Sequence, residues 1–379
     1  MIPRFLEKTI SESLFMGKAI VLYGARQVGK TTLVRSILSK YPDSGKYLNC
    51  EIHSINSNLS VPEPERIKNF LGGAKLVVLD EAQYIPNTGK ILKLIVDTIP
   101  QIQIIATGSS GFDLANKTSE AMTGRVYHFH LHPLSVNEIA SATDPFIADS
   151  AVESILRFGA YPEVYTSVED KAMKIIDEIS SSYLYKDILM FDDIRKSGVI
   201  KNLLIMLALQ VGNEVSYNEL AKSLGINRLT VIKYLDLLEG CFVIFRLNSF
   251  SRNLRSELSK SVKIYFFDLG IRNSLIRNFN PMGLREDSGR LWENFCIVER
   301  LKMLNFMGKR VNSFFWRTYN KKEIDYVEES DGIIRAFEFK YSSDKRKNSY
   351  AEFESSYNTK VEVVNRSNFY KFIQTDREG

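Results

Sequence analysis

The eight residues GARQVGKT at positions 24–31 constrain this chain more than any other feature. They fit the spacing G-x-x-x-x-G-K-[ST], in which glycines let the backbone wrap closely around an anion and point its N–H groups at phosphates. An apolar strand pattern, AIVLY, precedes them, and a helix pattern follows. The positive end of that helix dipole would face the same point. The segment predicts a triphosphate site, with ATP and Mg²⁺ as the expected ligands.

Two residues of this loop have expected roles of their own. Lys30 would bring a positive charge to the β- and γ-phosphates, and Thr31 would offer its hydroxyl to Mg²⁺. The residues expected to contact the nucleotide are Gly24, Ala25, Arg26, Gln27, Val28, Gly29, Lys30, Thr31 and Thr32.

A second apolar strand pattern, LVVL at 76–79, leads to Asp80 and Glu81. At the carboxyl end of a strand in a doubly wound sheet, Asp80 would lie beside the phosphate loop and hold Mg²⁺, directly or through water. Glu81 would polarise the attacking water. The alternative is a pair of acids that only ends a buried strand and starts a helix.

Polar residues also follow the next strand pattern, IQIIATGSS. Thr107, Ser109 and Ser110 could sense the γ-phosphate, although a polar turn explains them equally well. Arg125, in the sequence TGR, could stabilise charge that develops on the γ-phosphate, in its own chain or in a neighbouring one. A surface arginine is equally consistent with the sequence at this position.

Composition is that of an ordinary soluble globular protein, with 44% hydrophobic and 25% charged residues in 379. No apolar stretch reaches the roughly 18–20 residues of a membrane helix, so we expect no membrane partner. Cys50, Cys241 and Cys296 are far apart and lack CxxC spacing, which favours a reducing cytoplasm over a disulfide framework. We expect a cytoplasmic protein.

The pattern of elements changes along the chain. Residues 2–16 predict an amphipathic helix, and the strands and helices that follow predict a parallel α/β sheet with helices on both faces. Residues 135–208 are mostly helical in pattern, and strand patterns return after 262. We expect four parts, which are a P-loop core at 1–145, a helical lid or connector at 146–200, a helix–turn–helix domain at 201–255, and a mixed α/β domain at 256–379.

The segment at 215–240, VSYNELAKSLGINRLTVIKYLDLLEG, resembles a winged helix–turn–helix. Ala221, Gly225 and Val231 sit at the offsets that this motif uses, and Asn227 can cap the second helix.

The second helix of this segment has one apolar side and one polar side. Val231 would face the core with Leu235 and Leu238, which leaves Arg228, Lys233 and Tyr234 for a DNA groove. Residues 195–260 contain ten Lys/Arg against five Asp/Glu, a surplus equal to the net charge of +5 of the whole chain. The excess basic charge therefore lies where DNA would bind, although winged helices also serve as protein–protein modules.

Four residues of the last part form a candidate metal cluster: Glu293 on a helix, Asp325 in EIDYV, and Glu338 and Lys340 in FEFK. Residues two apart in a strand point to the same side, so Glu338 and Lys340 would share a face. Two carboxylates and a lysine at one point can bind Mg²⁺ and orient a water for attack on a phosphodiester.

Several motifs together resemble a known family. LYGARQVGKTTL, LVVLDEAQ, TGSS, TGR and HPLS, in this order, are similar to bacterial and archaeal AAA-type ATPases with a DUF4143 C-terminal domain. The resemblance covers nearly the whole chain. It implies an AAA-like core and a functional role for Arg125.

The C-terminal cluster resembles the PD-(D/E)XK nuclease superfamily. By that resemblance Asp325 and Glu338 are metal ligands, Lys340 positions the water and Glu293 is an auxiliary acid. Ile324 stands where the superfamily motif has proline. A nuclease-like fold that recognises a partner without cutting is the alternative.

Three classes of function remain open from the sequence. ATP could drive DNA binding and cutting, or the protein could be an ATP-dependent DNA-binding regulator without nuclease activity. In the third class the C-terminal half binds an unknown protein partner. The sequence also leaves open whether the chain forms a homo-oligomer in which Arg125 acts on a neighbouring subunit.

Overall fold

The computed structural model describes residues 2–109, 122–143, 145–183, 197–251, 262–318, 322–342 and 350–374. Within these ranges the chain forms sixteen α-helices and twelve β-strands. They belong to two compact units, Met1–Leu134 with Gly240–Phe242, and Ser135–Glu239 with Val243–Gly379. No helix in the described ranges combines the length and apolar character that crossing a bilayer requires.

The first unit is an α/β fold. Its strands are β1 (Ala19–Tyr23), β2 (Gly45–Asn49), β3 (Leu76–Asp80), β4 (Gln103–Gly108) and β5 (Val126–His130). Its helices are α1 (Leu6–Glu12), α2 (Lys30–Leu38), α3 (His53–Leu59), α4 (Pro64–Leu71) and α5 (Thr88–Thr98), with a 3₁₀ turn at Ala82–Tyr84.

The five strands form one parallel sheet in the order β2-β3-β4-β1-β5. Every residue of β1, β3 and β4 is buried, which explains their uninterrupted apolar runs, since helices cover both faces of a parallel sheet. The predicted parallel α/β fold is confirmed. Because β4 lies between β1 and β3, its carboxyl end separates the phosphate loop from Asp80 at the same edge of the sheet.

Two local predictions for this unit were inaccurate. The helix expected over residues 2–16 is shorter, Leu6–Glu12, because Phe15 and Gly17 both have positive φ, 60° and 71°, which a right-handed helix does not allow. Helices α3 and α4 were not anticipated, although Ile67, Phe70 and Leu71 in α4 do recur at helical spacing; both helices are only seven or eight residues long.

The second unit contains the remaining elements. Its helices are α6 (Val136–Ala142), α7 (Pro145–Phe158), α8 (Pro162–Tyr165), α9 (Glu169–Glu178), α10 (Ser197–Leu209), α11 (Tyr217–Leu224), α12 (Arg228–Gly240), α13 (Leu269–Leu275), α14 (Ser288–Phe306), α15 (Tyr350–Tyr357) and α16 (Phe369–Ile373). A π-helical turn at Ile179–Tyr183 follows α9, and a 3₁₀ turn at Met282–Leu284 precedes α14.

The strands of the second unit are β6 (Glu214–Val215), β7 (Ile244–Ser249), β8 (Val262–Phe266), β9 (Asn312–Arg317), β10 (Glu323–Ser330), β11 (Ile333–Phe339) and β12 (Val361–Val364). They form one mixed sheet in the order β12-β11-β10-β9-β7-β8-β6. A short parallel pairing, in which Asn248 lies opposite Phe314, joins β7 to β9. One sheet therefore continues across the boundary expected near 255.

The segment expected to form a lid or connector also belongs to the second unit. The backbone N–H of Ala160 donates to the Asp268 carboxylate at 2.7 Å, and the Asn273 side chain donates to the carbonyl oxygen of Leu156 at 2.9 Å. These buried contacts join α7 to α13. Residues 184–196, for which helix was also expected, lie outside the described residues.

Two helices joined by a short turn, α11 and α12, occupy the segment expected to form the helix–turn–helix. Gly225 has a φ of 64° in the turn, and the side-chain oxygen of Asn227 accepts a hydrogen bond from the Thr230 amide at 2.7 Å, which caps α12. The predicted core residues Val231, Leu235 and Leu238 are buried.

The placement of Tyr234 on the exposed side of α12 was wrong, because this residue is only 7% exposed. Positions three and four apart share a helix face, so Tyr234 lies on the same buried stripe as Val231 and Leu238.

Candidate nucleotide site and C-terminal carboxylate cluster

The phosphate loop joins β1 to α2. Gln27 and Gly29 have positive φ values of 62° and 97°, and such residues turn successive backbone amides toward one side of a loop. At Gly24, a Cβ atom would lie 2.3 Å from the carbonyl oxygen of Leu131, so no side chain fits there without moving the backbone. The loop therefore has the compact shape that its glycine spacing predicts.

Lys30 begins α2 and reaches back over this loop. Its side chain is buried, and its ammonium donates to the carbonyl oxygens of Gly24 at 2.8 Å and Ala25 at 2.9 Å. The positive charge is thus held against the loop.

Asp80 is the hydrogen-bonding centre of the site. One carboxylate oxygen accepts from the Thr31 hydroxyl at 2.8 Å and also from the phenol of Tyr47. The other accepts from the Thr107 hydroxyl. Residues from α2, β2 and β4 therefore converge on one carboxylate, and Asp80 is only 3% exposed. The phosphate loop and Asp80 lie close together, as the sequence predicted.

Tyr47 was not singled out from the sequence. Burial and the hydrogen bond to Asp80 raise the pKa of Tyr47 to about 12, so the phenol keeps its proton at neutral pH and donates it to the carboxylate. Arg35 lies over the ring, with its guanidinium carbon 4.5 Å from the centroid. The sequence signal was weak, because a tyrosine in a half-buried strand is ordinary.

Glu81 follows Asp80 with a φ of 55°. Its backbone N–H donates to the Thr107 hydroxyl at 3.1 Å, and its carboxylate accepts from the side-chain amide of Gln83 at 2.5 Å. The same amide nitrogen lies 3.4 Å from the hydroxyl oxygen of Ser109. Ser109 therefore lies at the site as expected, whereas Ser110 is outside the described residues.

Arg125 lies at the opposite edge of the sheet from the phosphate loop. Its carbonyl oxygen accepts from the amide of Ala19 at the start of β1, whereas the loop follows the end of β1 at Tyr23. The amino and carboxyl ends of these five-residue strands are about 16 Å apart. Its guanidinium instead contacts Asp97 at 2.6 Å. The expectation that Arg125 could act on its own chain's nucleotide is therefore wrong.

Arg4 supports the loop from the other side and was missed by the sequence interpretation. Its guanidinium donates to the carbonyl oxygens of Val28 at 2.7 Å and His132 at 2.5 Å. These two carbonyls belong to the phosphate loop and to the segment after β5, so one side chain fixes both.

The residues at the loop fit a magnesium nucleotide. A hydroxyl and a carboxylate are hard oxygen donors, and Mg²⁺ bound to nucleotides usually takes its other ligands from water and phosphate. Within the described part of the chain, no group of three or more His, Cys, Asp or Glu residues is arranged to hold a metal ion.

In the second unit, Arg228 and Lys233 are exposed on α12, whereas Tyr234 is not. Arg246 is engaged nearby, because its guanidinium forms ion pairs with Asp236 at 2.7 Å and Glu239 at 2.5 Å. Asp236, Glu239 and Arg246 are all included in the count of the local basic surplus, so their pairing leaves the surplus unchanged. Arg228 and Lys233 are the members of the predicted set that face solvent.

The four predicted cluster residues lie close together in the same unit. Lys340 contacts the Glu338 carboxylate at 2.6 Å, and one carboxylate oxygen of Asp325 accepts from the amide of Phe339 at 2.8 Å. Burial raises the pKa of Asp325 well above its usual value, and the charges of Glu293 and Glu338 raise this pKa further.

The sequence interpretation missed two further members of the cluster, which come from β8. The Lys263 ammonium lies 3.0 Å from Glu293, and the Tyr265 phenol donates to the same carboxylate oxygen at 2.5 Å. Because Lys263 and Tyr265 are two residues apart in a strand, their side chains lie on the same face. No sequence pattern indicates which residues pack against that face.

A glycine-rich loop, its following helix and a buried acidic strand end on one parallel sheet are the arrangement of a P-loop fold. Comparison with known families agrees. Residues 16–140 match an AAA domain family, residues 149–282 match a domain of unknown function, DUF8612, and residues 288–376 match a domain of unknown function, DUF4143. The chain thus carries an AAA domain and a C-terminal DUF4143 domain, as the sequence resemblance predicted.

Relatives extend over most of the chain. An uncharacterized protein of Mycobacterium tuberculosis is 28% identical over 88% of this chain and 73% of its own length. An uncharacterized protein of Methanocaldococcus jannaschii is 25% identical over 99% of this chain and 88% of its own length. A Pif1 helicase structure from Candida albicans aligns over 48% of each chain, with 14% identity and a TM-score of 0.26.

Proposed function

We propose that this protein binds ATP with Mg²⁺ and hydrolyses it, and that the nucleotide state controls binding to DNA. The observation that carries the proposal is the direct contact between Thr31 and Asp80 at 2.8 Å, next to a loop that holds Lys30. This arrangement brings together the three groups that a magnesium triphosphate needs.

Each group has a role set by its chemistry. Lys30 would neutralise charge on the terminal phosphates, and Thr31 and Asp80 would hold Mg²⁺, which when bound supplies further charge neutralisation. Glu81 would accept a proton from the attacking water, and Thr107 and Ser109 would respond to the γ-phosphate. Arg125 would act only on the nucleotide of a neighbouring subunit in a homo-oligomer.

Turnover measurements with Glu81→Gln test the hydrolysis step. The amide keeps the shape of the side chain but cannot accept the proton, so ATP affinity should persist while turnover falls by roughly 10²–10⁴-fold. Turnover of the variant at the wild-type rate would remove Glu81 from this role. Adding duplex DNA to the wild-type assay then tests coupling, since a coupled enzyme changes its turnover rate.

Binding to DNA is proposed for the helix–turn–helix. Support comes from the capped α12, from the exposure of Arg228 and Lys233, and from the antiparallel pair β7 and β8 that follows as a wing would. Changing Arg228 and Lys233 together to alanine should weaken salt-dependent binding and reduce its salt slope by about two. The Lys222→Ala variant, on the exposed side of α11, is the matched control.

The C-terminal domain has two candidate functions. In the first, Asp325 and Glu338 hold Mg²⁺ and Lys340 positions a water that cuts DNA. In the second, the domain recognises DNA or a protein partner without cutting. The presence of Lys263 among these carboxylates favours the second function. A gel assay for Mg²⁺-dependent nicks that Asp325→Ala removes distinguishes the two.

A further inference from the structure

The carboxylate cluster of the second unit already contains a cation. Lys263 on β8 is only 1% exposed, and its ammonium lies 3.0 Å from Glu293 and 2.6 Å from Glu323. The ammonium also lies 5.4 Å from the centroid of the Phe315 ring. A buried ammonium is tolerated where carboxylates surround it, because desolvation of an unpaired charge is far too costly.

The other carboxylates of the cluster also have protein donors. The Tyr265 phenol donates to the same Glu293 oxygen as Lys263, and Lys340 contacts Glu338 at 2.6 Å. Asp325 accepts from the backbone amide of Phe339 at 2.8 Å. One carboxylate oxygen each of Glu293, Glu338 and Asp325 is therefore engaged by a donor of the protein itself.

The ion pairs continue beyond the cluster to the edge of the sheet. Arg317 on β9 lies 2.8 Å from Glu214 on β6 and 3.6 Å from the second oxygen of Glu323 on β10. The network thus joins the strands near the helix–turn–helix to the C-terminal strands and, through Glu293, to α14. Such a network of ion pairs can hold the strands and α14 together without a metal ion.

We propose that Lys263 is the permanent counter-ion of this cluster and takes the place that a divalent metal holds in a nuclease. A divalent cation bound to the same carboxylates would be repelled by the buried ammonium at close range, where the effective dielectric constant is low. The residues present therefore do not fit a metal-dependent nuclease site. The proposal is independent of ATP binding in the first unit.

Binding of Mn²⁺ to the nucleotide-free full-length chain tests the proposal directly. Free Mn²⁺ is measured by electron paramagnetic resonance during titration of the wild type, Asp325→Asn and Glu338→Gln. We expect no bound ion that depends on Asp325 or Glu338. One Mn²⁺ per wild-type chain that both substitutions abolish would overturn the proposal. Since nucleotide is absent, this result stands whether or not the protein hydrolyses ATP.

A double-mutant cycle between Lys263 and Glu293 gives a second, independent readout. Lys263→Met should lower the unfolding midpoint strongly, because it leaves buried carboxylates without their cation. Adding Glu293→Gln should then cost much less than it costs in the wild type. Strictly additive effects of the two substitutions would contradict an internal ion pair. Lys222→Met, on an exposed position, controls for the loss of a lysine.

Discussion

The side-chain amide nitrogen of Gln83 donates a 2.5 Å hydrogen bond to the carboxylate of Glu81, while the amide oxygen of Gln83 is buried and makes no hydrogen bond among the described residues. Exchanging the amide nitrogen and oxygen would bring two acceptor oxygens together, so this orientation is the favoured one. Gln83 therefore fixes the direction of the Glu81 carboxylate. Its buried oxygen is suited to accept a hydrogen bond from a water molecule at the site.

Replacement of Gln83 by alanine should lower kcat for ATP hydrolysis with little change in ATP affinity. A hydrogen bond to a charged group is worth about 1.5–3 kcal/mol, which corresponds to a loss of roughly 10- to 100-fold. Steady-state turnover and calorimetric ATP titration separate the two effects. The exposed Gln101→Ala variant is the control, and a weakened ATP affinity at normal kcat would contradict the positioning role.

Replacement of Arg4 by alanine should weaken ATP binding through the loop that Arg4 holds. The guanidinium holds the carbonyls of Val28 and His132, and without it the loop must be ordered by the ligand. We expect a rise in Kd of about tenfold, equivalent to about 1.4 kcal/mol. Fluorescent-nucleotide titration measures this, with the exposed Arg66→Ala as the matched control. An unchanged Kd would show that the loop orders itself.

Replacement of Arg125 by alanine should leave ATP affinity unchanged, because this residue lies at the far edge of the sheet and contacts Asp97. If it acts on a neighbouring subunit, wild-type turnover per chain should rise with protein concentration, and the variant should lose that rise. Turnover measured over a dilution series checks this. A variant whose turnover is reduced equally at every dilution would contradict action between subunits.

Asp287 should contribute strongly to stability. Its carboxylate lies 2.6 Å from Arg272 and 2.8 Å from Arg285, both of which are buried. Burial alone would raise the pKa of Asp287, but the hydrogen bonds and charges of these arginines lower it to about 2. Asp287→Asn should cost about 3–5 kcal/mol at pH 7, because two buried guanidinium groups lose their anion.

The pH dependence of this contribution follows from the lowered pKa. The unfolded value is about 3.9, so the stabilisation is complete above roughly pH 5 and is lost as the pH falls through the folded pKa of about 2. In urea unfolding, the free energies of unfolding of the wild type and of Asp287→Asn should therefore differ most near neutral pH, and this difference should shrink by about 2–3 kcal/mol as the pH approaches 2. A difference that stays constant down to that pH would contradict the ion pair.

The nucleotide loop and Asp80 could be predicted because each is specified by a short, contiguous stretch of sequence. The spacing from Gly24 to Thr31 fixes the loop, and an apolar strand that ends in acid fixes Asp80 at the same sheet edge. Arg125 was misplaced because the sequence interpretation did not assign a strand to Val126–His130. Since β5 pairs in parallel with β1, a residue that precedes β5 lies at the strand end opposite the loop. The register of β5 against β1 decides this.

The supporting residues could not be predicted, since each acts on a partner distant in sequence. Arg4 meets His132, 128 positions later, and Lys263 meets Glu293 on another element. Tyr234 is a different case, because its three-residue spacing from Val231 already indicated a buried position. Local motifs thus identify the residues expected to bind the nucleotide. The residues that support them depend on tertiary packing, which the sequence pattern does not reveal.

Calorimetric titration of ATP with Mg²⁺ into the wild type and Lys30→Ala tests the central claim most directly. The account predicts one ATP per wild-type chain and no measurable binding by the variant over the same concentrations, because the loop loses its cation. The exposed Lys93→Ala variant should bind as the wild type does. Equal ATP affinity in Lys30→Ala and the wild type would contradict a phosphate site at this loop.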